Sequence, residues 1–153
     1  MFLRSIEADD FRNLEGKIVW GSGLNILHGN NGEGKSNWLD AIYLLAHAKS
    51  FRTRQLNEAL RFGANQAYVR GTVARGNAIE RELQVDIQTS SKKTSVNGKR
   101  ETLARYAAQL HAISFTADEL EVIRGGPEAR RGFVDRGAVS LHPGYAQTLA
   151  DYN

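Results

Sequence analysis

Hydrophobic and polar residues alternate along the middle of the chain, with the period of a β-strand that has one buried face. Val69 and Val73 alternate with polar positions, and Leu83, Val85 and Ile87 do so further along. Gly76 and Asn77, between the two stretches, have the composition of a hairpin turn. The pattern therefore predicts two antiparallel strands that each turn one face to a core.

Similar signals flank this pair. Residues 94–96 predict a third strand that ends at an Asn-Gly turn, and residues 103–110 have the spacing of a short amphipathic helix. Residues 2–8 and 17–20 predict two strands near the N-terminus, and 55–60 a short helix. We expect residues 50–111 to form an antiparallel lobe inserted into a core.

The pattern changes between residues 24 and 45. Residues 24–27 are apolar except for Asn25 and predict a buried parallel strand. Trp38, Ala41, Ile42 and Leu45 then recur at the spacing of one helix face. A strand and a helix are thus predicted on either side of a glycine-rich segment.

That segment satisfies G-x-x-x-x-G-K-[ST], the phosphate-binding loop. Its glycines allow the backbone to approach a polyphosphate, and the helix that follows presents its positive end to the phosphates. A lysine at this position reaches the β- and γ-phosphates, and the hydroxyl after it is a ligand for Mg²⁺. The sequence predicts an ATP and Mg²⁺ site made of Gly29, Asn30, Asn31, Gly32, Glu33, Gly34, Lys35 and Ser36, with Ser36 on the metal.

A turn with an arginine and an asparagine joins the first two predicted strands. Arg12 and Asn13 follow Phe11 in this turn. They are candidates for contact with the nucleotide, and an equally good alternative is a solvated turn anchored by Phe11.

The last third of the chain returns to apolar and helical patterns. Residues 112–115 predict a short strand, and Thr116 is a candidate helix cap. Pro127 predicts the first turn of a helix in which Phe133 and Val134 face inward. Residues 145–152 begin a helical stripe with no closing glycine or cap, from which we expect the chain to be a fragment.

Charge, cysteine content and the lengths of apolar stretches limit the kinds of protein that this chain can be. The 153 residues carry a formal net charge of +3 and no cysteine, so a nucleic-acid partner is allowed and disulfides are excluded. No apolar stretch is long enough to span a membrane, and we expect a cytoplasmic protein without a membrane partner. A basic cluster has two interpretations, phosphate contact or a solvated strand edge, of which the second is favoured; it comprises Lys92, Lys93, Lys99, Arg100 and Arg105.

A hydrolytic P-loop site also needs an acidic residue at the end of an apolar strand, and no convincing one is present. No catalytic residue is therefore predicted, and it stays open whether this chain is an enzyme. Two alternatives remain: a small P-loop kinase, and an interaction module in which the loop is structural.

With these residues in hand, the whole chain resembles the N-terminal part of the RecF family, bacterial DNA repair and recombination ATPases related to the SMC group of ABC-type ATPases. The phosphate loop and its helix carry part of the resemblance. Four further segments carry the rest, at residues 11–13, 23–25, 49–53 and 125–135.

The resemblance implies the fold class and the mechanism. It implies an α/β P-loop NTPase fold, half of an ABC-ATPase-like head. Residues 1–49 and 112–139 would form the nucleotide-binding core, 50–111 the inserted β lobe, and 140–153 the start of a helix toward the family's C-terminal half. The Walker B strand and signature motif belong to that half.

It also implies ligands and partners. Asn31, Gly32, Gly34, Lys35 and Ser36 would bind the phosphates and Mg²⁺, with Arg12 and Asn13 beside the nucleotide. ATP-bound heads would form a homodimer that binds DNA at single-strand to double-strand junctions, with RecR and RecO as partners.

Overall fold

Six strands form one antiparallel sheet in the computed structural model, which describes residues 1–76, 79–116, 120–142 and 144–152. They are β1 (Phe2–Phe11), β2 (Leu14–Val19), β3 (Gln66–Arg75), β4 (Ile79–Gln88), β5 (Lys92–Val96) and β6 (Lys99–Arg100). Their order across the sheet is β2-β1-β3-β4-β5-β6. The sheet lies in the first of two compact units, Met1–Leu110, and the second unit is His111–Asn153.

The period-2 pattern correctly predicted the central strands. Val69, Leu83, Val85 and Ile87 are fully buried, and Val69 lies opposite Val85 in the β3–β4 ladder. The turn between these strands includes Asn77, which lies outside the described residues. The second predicted hairpin is confirmed, because Val96 pairs with Lys99 across the Asn-Gly turn, and both turn residues have positive φ.

The predicted phosphate-loop helix is present as α1 (Lys35–His47) and packs against the sheet. Its buried apolar face contains Ala41, Leu44 and Leu45. A Cβ on Gly71 of β3 would collide with Leu45, so the glycine is what allows the helix to approach the strand closely. The predicted face was partly wrong, because Trp38 and Ile42 are only half-buried and Leu44 takes the central place.

The sheet crosses the boundary predicted at residue 50. β1 pairs with β3 along most of its length, with Ile6 opposite Gly71 and Ala8 opposite Val69. The expected β lobe and the N-terminal strands therefore share one ladder and one hydrophobic core.

Short helical elements complete the first unit. The helix predicted at 55–60 is a 3-10 turn, Leu56–Ala59. The amphipathic segment near residue 105 forms α2 (Leu103–Ala107), which buries Tyr106 completely, and Leu110 is buried beyond its end.

The second unit contains three helices within its described residues: α3 (Glu121–Arg124), α4 (Pro127–Leu141) and α5 (Tyr145–Tyr152). Pro127 occupies the first turn of α4, as predicted. The prediction that Val134 faces inward is wrong, since it is 64% exposed while Phe133 is half-buried. Adjacent helical residues point in different directions, so one contact surface rarely covers both. The cap predicted at Thr116 involves residues 117–119, outside the described part.

Two predicted strands are not strands in the structure. Residues 24–27 and 112–115 belong to none of the described strands, and most of their large apolar side chains are exposed to solvent. Leu24 is 90% exposed, Ile26 75%, Ile113 73% and Phe115 72%. An apolar run becomes a strand only where a neighbouring strand takes its N–H and C=O groups. In the described residues, no helix is long and apolar enough to cross a membrane.

Candidate nucleotide-binding site

Three glycines give the phosphate loop its shape. Gly29, Gly32 and Gly34 have φ values of 148°, 91° and 89°, which other residues rarely adopt. Gly34 faces the β1–β2 turn closely, because an added Cβ would lie 3.0 Å from both Asn13 Oδ1 and Leu14 Cδ2. The motif's glycines are therefore needed for conformation and, at Gly34, also for space.

Lys35 folds back onto the loop that precedes it. Its Nζ donates hydrogen bonds to the carbonyl oxygens of Gly29, at 2.8 Å, and Asn30, at 2.6 Å. The carboxylate of Glu33 accepts hydrogen bonds from the backbone N–H and the side-chain amide of Asn30. The ammonium group thus lies at the mouth of the loop, where a phosphate chain would meet it.

The N-terminus of α1 suits an anion. It has no side-chain cap and no acidic residue in its first turn, so within this turn no carboxylate compensates its positive end. Ser36 is exposed in this turn. Free helix N–H groups, a lysine and an exposed hydroxyl are the set that a Mg²⁺-bound triphosphate requires.

Asn13 joins the β1–β2 turn to the loop. Its Nδ2 donates to the carbonyl of Gly32 at 3.2 Å, and its Oδ1 accepts from Asn37 Nδ2 at 2.6 Å. Asn37 also accepts a short hydrogen bond from Arg52. The structure therefore places Asn13 against the phosphate loop, and its predicted contact with the nucleotide stays a prediction.

Arg12 points the other way, into a buried network. Its Nε donates to Asp40 Oδ2 at 2.9 Å, and its Nη2 donates to Ser50 Oγ at 3.4 Å. Ser50 donates to the same carboxylate at 2.9 Å, and the backbone N–H of Phe51 donates to Oδ1 at 3.1 Å. Asp40 is fully buried. Arg12 is thus not the solvated turn residue of the alternative interpretation.

Asp40 was not among the predicted site residues, although it organises the surroundings of the loop. The available signal was an aspartate directly before the buried residue Ala41, on the side of α1 that faces the protein. A buried carboxylate needs partners, but α1 itself supplies none of those observed. Arg12 and Ser50 lie 28 and 10 positions away in the chain, and only the tertiary structure identifies them.

Comparison with known proteins identifies relatives of this arrangement. The family model of the RecF/RecN/SMC N-terminal domain matches residues 2–126. A DNA replication and repair protein RecF from Geobacter sp. (strain M21) is 38% identical over 154 residues, covering 99% of this chain and 42% of the relative. The RecF of Myxococcus xanthus (strain DK1622) is 36% identical, covering 99% and 40%. This chain thus spans about two fifths of these relatives' length.

Solved structures agree with the sequence comparison. The recombination mediator protein RecF-ATPrS of the RecFOR pathway superposes with a TM-score of 0.89 at 31% identity, over 99% of this chain and 42% of the other. RecF-ATP of the same pathway gives a TM-score of 0.86, also at 31% identity, over 99% and 43%. The prediction of an α/β P-loop ATPase fold of the ABC head type is confirmed.

Proposed function

This chain belongs to the RecF/RecN/SMC N-terminal domain family, and we propose that it binds Mg-ATP as the nucleotide-binding part of a DNA replication and repair protein. The observation that carries this proposal is the phosphate loop, with three glycines at positive φ before an uncapped helix N-terminus. The two RecF structures named with ATP and ATPrS support the choice of nucleotide.

Each loop residue has a proposed role. The backbone of residues 29–34 surrounds the phosphates, Lys35 exchanges its two carbonyl partners for phosphate oxygens, and Ser36 holds Mg²⁺. Asn13 holds the loop against the β1–β2 turn through Gly32. Arg12 fixes that turn from the other side through Asp40. We assign no hydrolytic residue among the described residues.

The finer parts of the function follow from the family. ATP binding would drive homodimerisation and binding of DNA at single-strand to double-strand junctions, with RecR and RecO as partners. The net charge of +3 is compatible with DNA as a ligand. The domain division at residues 50, 112 and 140 also remains a proposal, although β1 and β3 share a ladder across residue 50.

Isothermal titration calorimetry with Mg-ATP tests the nucleotide site. The wild-type chain should bind, and Lys35→Ala should lose binding because the phosphates lose their cation. Lys17→Ala, on the exposed face of β2, removes the same charge elsewhere and should bind like the wild type. Far-UV circular dichroism should show the same helix and strand content in all three chains.

Two outcomes would overturn the proposal. If the wild-type chain did not bind ATP, the proposed function would be wrong. Equal affinity of the wild type and Lys35→Ala would make the loop structural, as in the interaction-module alternative. Transfer of the γ-phosphoryl group to a small acceptor by this chain alone would instead identify the kinase alternative.

A further inference from the structure

Two neighbouring clefts on the first unit have basic linings. One, of about 650 Å³, lies between the segment after α1 and the β4–β5 turn, and its charged residues are Lys49, Arg54 and Lys92. The other, of about 480 Å³, lies along β5 and contains Lys92, Lys93 and Arg100, with Glu101 as its one acidic residue. Lys92 lines both clefts, so the two are adjacent, and together they are here called the basic groove.

The five basic residues of the groove lack ion-pair partners among the described residues. This contrasts with arginines elsewhere in the same unit. Arg4 pairs with Glu80, Arg61 with Asp10 and Glu15, and Arg70 with Glu7. The groove thus gathers five cations that no described carboxylate within ion-pair distance neutralises, although Glu101 lies in the lining of the second cleft.

Lys92 is held at the centre of the groove. Its Nζ donates a hydrogen bond of 2.7 Å to the carbonyl of Ala48, at the C-terminal end of α1. Burial, followed by the nearby charge of Lys49, lowers the pKa of Lys92. Keeping two ammonium groups near each other raises the free energy of the unliganded protein, and an anion bound between them would relieve that repulsion.

The rest of the lining indicates what kind of anion fits. The hydroxyl groups of Thr89 and Ser90 line the first cleft and can donate to phosphate oxygens. Neither lining contains an aromatic residue that would stack on a base. A chain of phosphates that is contacted without reading the bases suits this surface better than a single nucleotide.

We propose that the basic groove binds the phosphate backbone of DNA. The proposal rests on the DNA-binding function proposed above and locates it on residues 49–54 and 92–100. It also changes the interpretation of the lysines on β5, because the sequence alone favoured the view that they keep a strand edge solvated. Ser50 lines the groove and also donates to Asp40, so the proposed DNA surface and the Arg12 network share a residue.

Matched triple variants of the 153-residue chain test this location. The groove variant is Lys49→Gln/Arg54→Gln/Lys93→Gln, which spares the structural contact of Lys92. The control is Lys17→Gln/Arg75→Gln/Arg105→Gln, which removes the same charge from exposed positions that line neither cleft. Fluorescence anisotropy with a labelled gapped duplex, in Mg-ATP and from 50 to 200 mM salt, reports the affinity and its salt dependence.

The groove variant should weaken DNA binding most at low salt. Three lost phosphate contacts should reduce the slope of log K against log salt by about 3, since each contact contributes about 0.9. The control variant should show nearly the same salt dependence of DNA affinity as the wild type. Calorimetry should show that both variants bind Mg-ATP like the wild type. Equal losses in the two variants would overturn the groove while leaving DNA binding in place. No DNA binding by the wild-type chain would overturn both.

Discussion

Arg12 and Asp40 form a buried ion pair that joins the β1–β2 turn to helix α1. Both Nε and Nη2 of Arg12 lie 2.9 Å from Asp40 Oδ2. The aspartate side chain is fully buried and that of the arginine is 17% exposed. Arg12 also has a φ of 56°, a left-handed conformation that is costly for an arginine and is held in place by this contact.

We expect Arg12→Ala to lower the free energy of unfolding by about 3 to 5 kcal/mol, because it leaves a buried carboxylate without its cation. Urea denaturation followed by circular dichroism measures this loss. Arg70→Ala is the matched control, since Arg70 pairs with Glu7 at 3.0 Å with both side chains partly exposed. The control should lose about 1 kcal/mol or less. Equal losses in the free energy of unfolding would show that burial does not increase the contribution of the Arg12–Asp40 pair to stability.

A comparison of Gly34 with Gly32 separates the effect of backbone conformation on stability from the effect of packing in the phosphate loop. Their φ values are 89° and 91°, so an alanine pays a similar conformational cost at either position. An added Cβ meets Asn13 and the buried Leu14 at Gly34 but nothing within 4 Å at Gly32. Gly34→Ala should therefore be the more destabilising by about 1 to 3 kcal/mol. Denaturation midpoints decide this, and an equal or larger loss for Gly32→Ala would contradict the close packing at Gly34.

The sheet and the phosphate loop could be predicted from sequence because their signals are local. Alternation at Leu83, Val85 and Ile87 reports directly which side chains are buried, and the loop motif specifies its own backbone. Residues 24–27 show the limit of such signals. Their apolar side chains indicate a strand, yet a strand also requires a neighbour, which a local pattern cannot supply.

The environment of the loop could not be predicted for a related reason. Asp40 is a charged residue in an otherwise apolar part of α1, and its partners come from β1–β2 and from the segment after the helix. Predicting the network would have required knowing how these segments pack. The same holds for the basic groove, where Lys49 and Lys92 are 43 positions apart in the sequence but line one cleft.

Tyr106 has a buried hydroxyl group with no hydrogen-bond partner among the described residues. Burial also raises the pKa of this tyrosine, so its hydroxyl stays neutral. Tyr106→Phe should raise the free energy of unfolding by about 1 kcal/mol, because it removes the desolvation cost of the hydroxyl and keeps the ring. Tyr68→Phe should act in the opposite direction, since Tyr68 donates a 2.8 Å hydrogen bond to Glu7. Urea midpoints at neutral pH compare the two, and a destabilised Tyr106→Phe would reveal a partner for the hydroxyl.

Glu7 should make the stability of the sheet depend on pH. The hydrogen bond from Tyr68 lowers the pKa of Glu7 most, the hydrogen bond and charge of Arg70 lower it further, and burial opposes them in part. The folded-state pKa thus lies below the ordinary value of 4.5. The ionised carboxylate contributes its full stability above pH 4.5, and the contribution is lost as the pH falls through the folded-state pKa.

The expected result is a stability difference between the wild type and Glu7→Gln that is constant near pH 6 and shrinks below pH 4.5. Urea denaturation at intervals from about pH 6 to pH 3 measures this difference. Tyr68→Phe provides a second comparison: it keeps the carboxylate but removes the largest cause of its lowered pKa, so it should show a weaker pH dependence than the wild type. If the wild type and Glu7→Gln lost stability in parallel down to pH 3, the pKa of Glu7 would be the same in the folded and unfolded chains. The hydrogen bond from Tyr68 would then not favour the ionised form.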